Sequence, residues 1–304
     1  MIKSPLPLLR AWSTFFRYPT VGSSRSRAVF YYLCFMFIGL MFASQGIPPP
    51  ITALKAIGVM ISITIFVYAL SDAMDADLDK FSSIKSKRPI PSGMMTKRQA
   101  LLLSILGGIV SVSLSITINF WTTIFTLVSL GLGFSYSVPP IRLKRRFLMK
   151  EITLSTGLIV SILVGSAAAG RIPSSLFLPG LSFAICGIAL YPTFYDALDI
   201  QADRREGCKT IAMILSQKRR LELSTFGLLV IMVTTTMTYG YFSLNIICPI
   251  LIVFGGLLFL RYIFPLLMKP EKEYEEEAIE KTASILRVFA FLSQLGFILG
   301  SLQL

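Results

Sequence analysis

The chain has 304 residues, is 54% hydrophobic and only 15% charged, and has a mean hydropathy of +0.71. That excludes an ordinary soluble domain, in which roughly a quarter of residues carry charge. A net charge of +13 would suit a nucleic-acid binder, but the basic residues are strung along alternate connections between apolar runs, so no nucleic-acid partner is expected. Histidine does not occur, which removes imidazole as general base, metal ligand or haem ligand, and the four cysteines Cys34, Cys186, Cys208 and Cys248 show no metal-ligand spacing.

Residues 1–27 carry five basic residues and no long apolar core, so no cleavable signal is evident. Leu8, Leu9, Trp12, Phe15 and Phe16 recur there at helical spacing with Arg10 and Arg17 between them, which predicts a short helix lying in the membrane interface. Nine apolar runs follow, near 28–46, 51–71, 100–119, 120–138, 152–170, 174–195, 224–242, 244–267 and 284–303. Each has about the 20 residues a helix needs to cross a bilayer. The expected fold is therefore all-α and polytopic, with an N-terminal cytoplasmic or interfacial segment (1–27) and one membrane domain (28–304).

Of the 29 Lys and Arg residues, 26 lie before the first run or on alternate connections, leaving only Lys55, Arg171 and Arg261 elsewhere. Basic connections stay on the cytoplasmic side. The N-terminus is thus expected inside and, after nine spans, the C-terminus outside.

All seven aspartates fall in two stretches, "SDAMDADLD" (71–79) and "YDALDIQADR" (195–204), each closing an apolar run on the predicted cytoplasmic side. Asp72, Asp75 and Asp79 follow the pattern D-x-x-D-x-x-x-D, and Asp196, Asp199 and Asp203 repeat it 124 residues later. On a helix these offsets fall within about 60° of one face, while Asp77 points elsewhere. Carboxylates at a helix C-terminus meet the negative end of its dipole and repel one another, so cations must neutralise them. All-oxygen ligation selects a hard ion, Mg²⁺ or Mn²⁺ in its place, and Mg²⁺ usually shares its ligands with substrate phosphates.

Basic runs lie beside both stretches: "KSKRPIPSG" (85–93), "YSVPPIRLKRR" (136–146) and "RREGCKT" (204–210). Topology alone would place positive charge there, but adjacency to the Asp faces singles out Arg88, Lys144 and Arg204. The acidic run "EKEYEEEAIE" (271–280) lacks that spacing and reads as a solvated face. Two classes remain open on these residues alone. One is an enzyme acting on a phosphorylated substrate; the other is a cation transporter with two repeated acidic helices. The positions at helix ends, and the bases beside them, favour the first.

The same residues resemble the UbiA superfamily of intramembrane prenyltransferases. Its first motif is matched by Ser71, Asp72, Asp75 and Asp79, with Ser71 where the family typically has Asn, followed by Arg-Pro-Ile-Pro-Ser-Gly at Arg88 to Gly93. Asp196, Asp199, Asp203, Arg204, Gly207 and Thr210 are similar to its second motif, and Tyr136, Ser137, Pro139, Pro140, Arg142 and Lys144 to its central connection. The resemblance implies nine helices around a central cavity. It implies Mg²⁺ on Asp75, Asp79, Asp199 and Asp203, with Asp72 and Asp196 ligating or supporting. Arg88, Lys144, Arg142, Arg204, Ser71 and Tyr136 are then expected around the diphosphate of a polyprenyl donor. Transfer would go to an aromatic, quinone-type or lipid-like acceptor, with a geranylgeranylglyceryl phosphate or a tetrapyrrole as the alternatives.

Overall fold

The computed structural model describes residues 19–20, 23–80, 86, 88–197, 200, 203–204, 207–269 and 276–302. The interfacial helix expected in the N-terminal segment lies outside the described residues. Each of the nine apolar runs forms a helix. In chain order these are α1 (Arg25–Ser44), α2 (Pro50–Asp79), α3 (Lys97–Ile116), α4 (Phe120–Ser137), α5 (Met149–Ala168), α6 (Ser174–Asp196), α7 (Gln217–Thr238), α8 (Ile247–Met268) and α9 (Glu276–Gly300). A two-residue antiparallel pairing, Pro19–Thr20 with Ser23–Ser24, precedes them. Seven of these segments are long and apolar enough to cross a membrane, α1 and α4 falling just short by length or composition. The protein is an integral, multi-pass membrane protein with an all-α architecture.

Local chemistry sets the helix ends. Pro50 opens α2 at a position whose N–H would have no helical acceptor. Thr96 and Gln99 form a reciprocal capping box at the start of α3. Asn119 caps α4 through the Thr122 N–H at 2.9 Å and donates to the Ala167 carbonyl at 2.7 Å, tying α4 to the end of α5. Within the apolar segments many hydroxyls are satisfied by their own helices, as where Ser62 donates to the Gly58 carbonyl at 2.7 Å and Thr126 to the Thr122 carbonyl at 2.8 Å. Lipid offers no alternative partner, so this local bonding is what permits polar residues there.

Consecutive helices pack side by side, and α9 returns to α1, so the nine close into a ring. The ring is pinched from within, because α1 also crosses α5. A Cβ on Gly39 would fall on the Ile162 carbonyl, and one on Gly165 would fall on the Met36 carbonyl. Only glycine on both partners lets the two backbones approach this closely. α5 is the most enclosed of the seven candidate spans, with 61% of its apolar stretch buried, and serves as the central post. Apolar cores flank the crossing, one around Met36, Val59, Met60 and Val164, the larger around Phe183, Phe194, Phe259 and Phe289.

Helix α6 departs from regularity. It carries wide, π-type turns at Cys186–Leu190 and Pro192–Asp196. Pro192 has no N–H to return to the preceding turn, and the wider turn absorbs the lost bond. The regular carboxylate face predicted for the second Asp stretch therefore begins on a π turn rather than on an ideal helix.

Candidate active site

On one side of the α1–α5 crossing the helices part around a cavity of about 480 Å³, lined from α1, α2, α4, α5, α6 and α9 and by the connections next to them. Most of its wall is apolar, including Phe35, Met60, Ile63, Leu154, Leu158 and Phe183. Tyrosines interleave it: Tyr32 and Tyr68 meet edge to face at 6.4 Å, and Tyr191 and Tyr195 stack at 4.9 Å. The charged residues enter at α2 and α6, where both Asp stretches reach the same cavity.

The first triad belongs to α2, which runs unbroken through the acidic stretch to Asp79. Asp72, Asp75 and Asp79 are buried, at 4%, 5% and 2% exposure, whereas the Asp77 side chain is 78% exposed and pairs with Lys80. The 3.6-residue period separates them in this way. Arg88 reaches back to Asp79 at 2.8 Å and to Asp72 at 3.5 Å. Burial works against the Arg88 charge, yet the Asp72, Asp79 and Asp75 carboxylates outweigh it and hold the guanidinium above its ordinary value. Asp75 is met by Arg142 at 2.8 Å and Lys144 at 2.5 Å, and Ser71 donates to its other oxygen at 3.3 Å. Arg142 makes its contact from a left-handed backbone, φ 35°. A non-glycine residue there costs about 1–3 kcal/mol, so the surrounding structure must hold it in place.

In the second triad, Asp196 and Asp203 are buried at 3% and 6%, and Asp199 lies outside the described residues. Lys150, in the first turn of α5, stands between them, 2.9 Å from Asp196 and 2.9 Å from Asp203. Gly207, at φ 70°, turns the chain after the triad, with its N–H returning to the Arg204 carbonyl and that of Cys208 to the Asp203 carbonyl. Glu151, with 0% exposure, accepts the Ile211 N–H at 2.9 Å and so ties this returning chain to α5.

The structure thus gathers Asp72, Asp75, Asp79, Asp196, Asp203, Ser71, Arg88, Arg142 and Lys144 around one space, and Tyr136 lines the same cavity. Arg204 is exposed and not part of that lining. Sequence reasoning missed Lys150, Glu151 and Arg287. Lys150 ends a basic connection whose charge topology already explained. Glu151 adjoins the apolar run 152–170 outside the Asp and Glu stretches, as Glu222 adjoins 224–242, and that position was its signal. Arg287 lies inside α9, where it lines the cavity beside Leu286 and Ala290; its Nη2 donates to Ser284 at 2.7 Å, and Tyr195 is its neighbour.

The donor chemistry fits a hard divalent cation. Every acidic ligand offered to the cavity is a carboxylate oxygen, and Asp196 Oδ2 is buried without a hydrogen-bond partner among the described residues. Basic side chains stand between the carboxylates, and no ready cluster of three acids exists among the described residues.

The profile of the UbiA prenyltransferase family matches residues 32–293. A digeranylgeranylglyceryl phosphate synthase of Korarchaeum cryptofilum is 30% identical over 76% of this chain and 79% of its own length. The enzyme of the same description from Sulfurisphaera tokodaii is 27% identical over 88% and 92%. A solved structure of a digeranylgeranylglyceryl phosphate synthase superposes with a TM-score of 0.74 at 19% identity, covering 98% of this chain and 99% of that one. A UbiA homolog from Archaeoglobus fulgidus, solved with GPP and Mg²⁺ bound, superposes with a TM-score of 0.61 at 18% identity over 89% and 97%. At such identities the two superpositions speak for the fold.

Proposed function

Because the chain belongs to the UbiA prenyltransferase family, and is a prenyltransferase of that type, we propose that it moves a polyprenyl group from its diphosphate to the hydroxyl of a glyceryl phosphate lipid, with Mg²⁺ as cofactor. The aromatic, quinone-type acceptor placed first on sequence grounds gives way here to the ether-lipid alternative, which the relatives' shared description favours. Arg287 is the observation in the site that carries this reading. It lines the cavity from α9, beside Leu286 and next to Tyr195. An acceptor that brings its own phosphate needs a cation of this kind, separate from those facing the donor. An arginine set within a membrane helix marks a functional position by default.

In this reading Asp75, Asp79, Asp199 and Asp203 would supply the carboxylates for Mg²⁺, with Asp72 and Asp196 ligating or supporting beside them. Bound there, Mg²⁺ would neutralise the diphosphate and favour its departure. Arg88 and Arg142 offer forked donors and Lys144 a point charge to the same oxygens as the allylic C–O bond breaks. Ser71 orients Asp75. The faces of Tyr136, Tyr32 and Tyr191 present negative π-density to the carbocation-like carbon without supplying a nucleophile. The apolar wall receives the tail and keeps water from that carbon. The acceptor oxygen then forms the new ether bond, and its proton leaves with the diphosphate. Arg204, on the exposed side of the second triad, meets the charged donor from outside the cavity. All nine helices cross the membrane in this reading, with the N-terminus and the site on the cytoplasmic side and the C-terminus outside.

The test offers purified protein geranylgeranyl diphosphate together with geranylgeranylglyceryl phosphate, 4-hydroxybenzoate or a tetrapyrrole, and detects products by mass. An ether product from the glyceryl phosphate alone is expected, and Arg287→Leu should raise the KM for that acceptor about tenfold or more while leaving the donor KM unchanged. Turnover of the aromatic acid in preference to the lipid would sink the acceptor assignment.

A further inference from the structure

The two triads are neutralised in different ways. Arg88, Arg142 and Lys144, which serve the first, stand on the connections after α2 and α4. Such bases can turn from carboxylate to diphosphate when the donor arrives. Lys150 stands instead in the first turn of α5, the most enclosed of the candidate spans. The next residue, Glu151, fastens the same helical turn to Ile211, just beyond the second triad. Ammonium and carboxylates are therefore braced as one unit.

We propose that Lys150 is the resident cation of the second triad and takes the place of one divalent ion, so that the site binds a single Mg²⁺ with the donor, not one for each triad. The proposal rests on the Mg²⁺-dependent reading given above. Its Nζ lies 2.9 Å from Asp196 Oδ1 and 2.9 Å from Asp203 Oδ2, bridging the first and last acids of the motif as a shared metal would. An ammonium is a compact point charge with three donors, able to bridge two carboxylates at once. A divalent ion cannot enter the same space beside it, because Mg²⁺ requires a near-octahedral shell of oxygens. The buried Asp196 Oδ2, with no partner among the described residues, is the oxygen Lys150 leaves available to an ion held chiefly by Asp75 and Asp79.

The experiment counts Mn²⁺ ions by electron paramagnetic resonance during titration of the full chain in detergent, with an unreactive prenyl thiolodiphosphate present. Wild-type protein should bind one Mn²⁺ per chain, Lys150→Arg one, and Lys150→Gln two. Two ions on the wild-type protein overturn the proposal, as does a count of one for a folded, monodisperse Lys150→Gln. Should that variant fail to fold, the wild-type and Lys150→Arg counts still decide. Mn²⁺ binding to none of them would remove the metal-dependent reading itself, and the proposal with it.

Discussion

Asp75 and Asp77 stand two residues apart on α2 in opposite surroundings. The first is buried against Arg142, Lys144 and Ser71, while the second faces outward with Lys80. Asp75→Asn should lower product formation by about 10²-fold or more, because it loosens the groups that meet the developing charge. Asp77→Ala should stay within about twofold of wild type, as exposed pairs contribute little. Initial rates on folded, detergent-purified variants check both, and an inactive Asp77→Ala beside an active Asp75→Asn would overturn the register of this helix. That separation was legible in the sequence, because a 3.6-residue period determines which side chains share a face. The partners were less so. Arg88 and Lys144 could be singled out by their nearness to the Asp stretches, but Lys150 and Arg287 reach the site only through the way α5 and α9 pack. No local pattern encodes that packing.

At the scale of elements, the α1–α5 crossing is held by glycine on both sides. Gly39→Ala places a methyl group against the Ile162 carbonyl, backbone that cannot turn aside. It should destabilise the protein by about 1–3 kcal/mol, read as a lower melting temperature in detergent. Gly180→Ala, where an added Cβ meets nothing within 4 Å, is the control and should leave the melting temperature unchanged or slightly raised. An undiminished melting temperature for Gly39→Ala would mean that the helices do not cross there. The nine helices could be read from apolar length alone, since a bilayer imposes one length on every span. The crossing could not, because a glycine in an apolar run marks close approach without naming its partner. The wide turns of α6 were equally hidden. Pro192 announces a lost hydrogen bond, but not whether the helix kinks or widens to absorb it.

For the whole molecule, the distribution of basic residues predicts orientation. In a variant lacking its native cysteines, a cysteine at Lys218 should react only with reagent on the cytoplasmic side, and one at Arg171 only from outside. Both positions are exposed, one at the start of α7 and the other between α5 and α6. Labelling of both from one side would mean that α6 does not cross, and the two triads would then need another route to a common cavity. The sequence carried the ring's membership but not its closure. That α9 meets α1 again follows from the larger apolar core, which draws Phe297 and Phe289 of α9 together with Phe42 and Phe35 of α1.

Helix α5 joins two features that are otherwise unrelated. Lys150 is at its first turn and Gly165 is at the crossing with α1. Fifteen residues separate them, about 22 Å at 1.5 Å per residue. On α5 the cavity wall runs from Lys150 to Ser161, one turn short of Gly165, so a single helix bears the charged end of the chamber and leads to the crossing, and it works as a ruler for the isoprenoid. A donor tail that ends before the crossing can lie straight, whereas a longer one must fold back or leave sideways between helices. Selection by length would then be a property of the α1–α5 crossing, and competition between donors of graded length would reveal the step at which it cuts off.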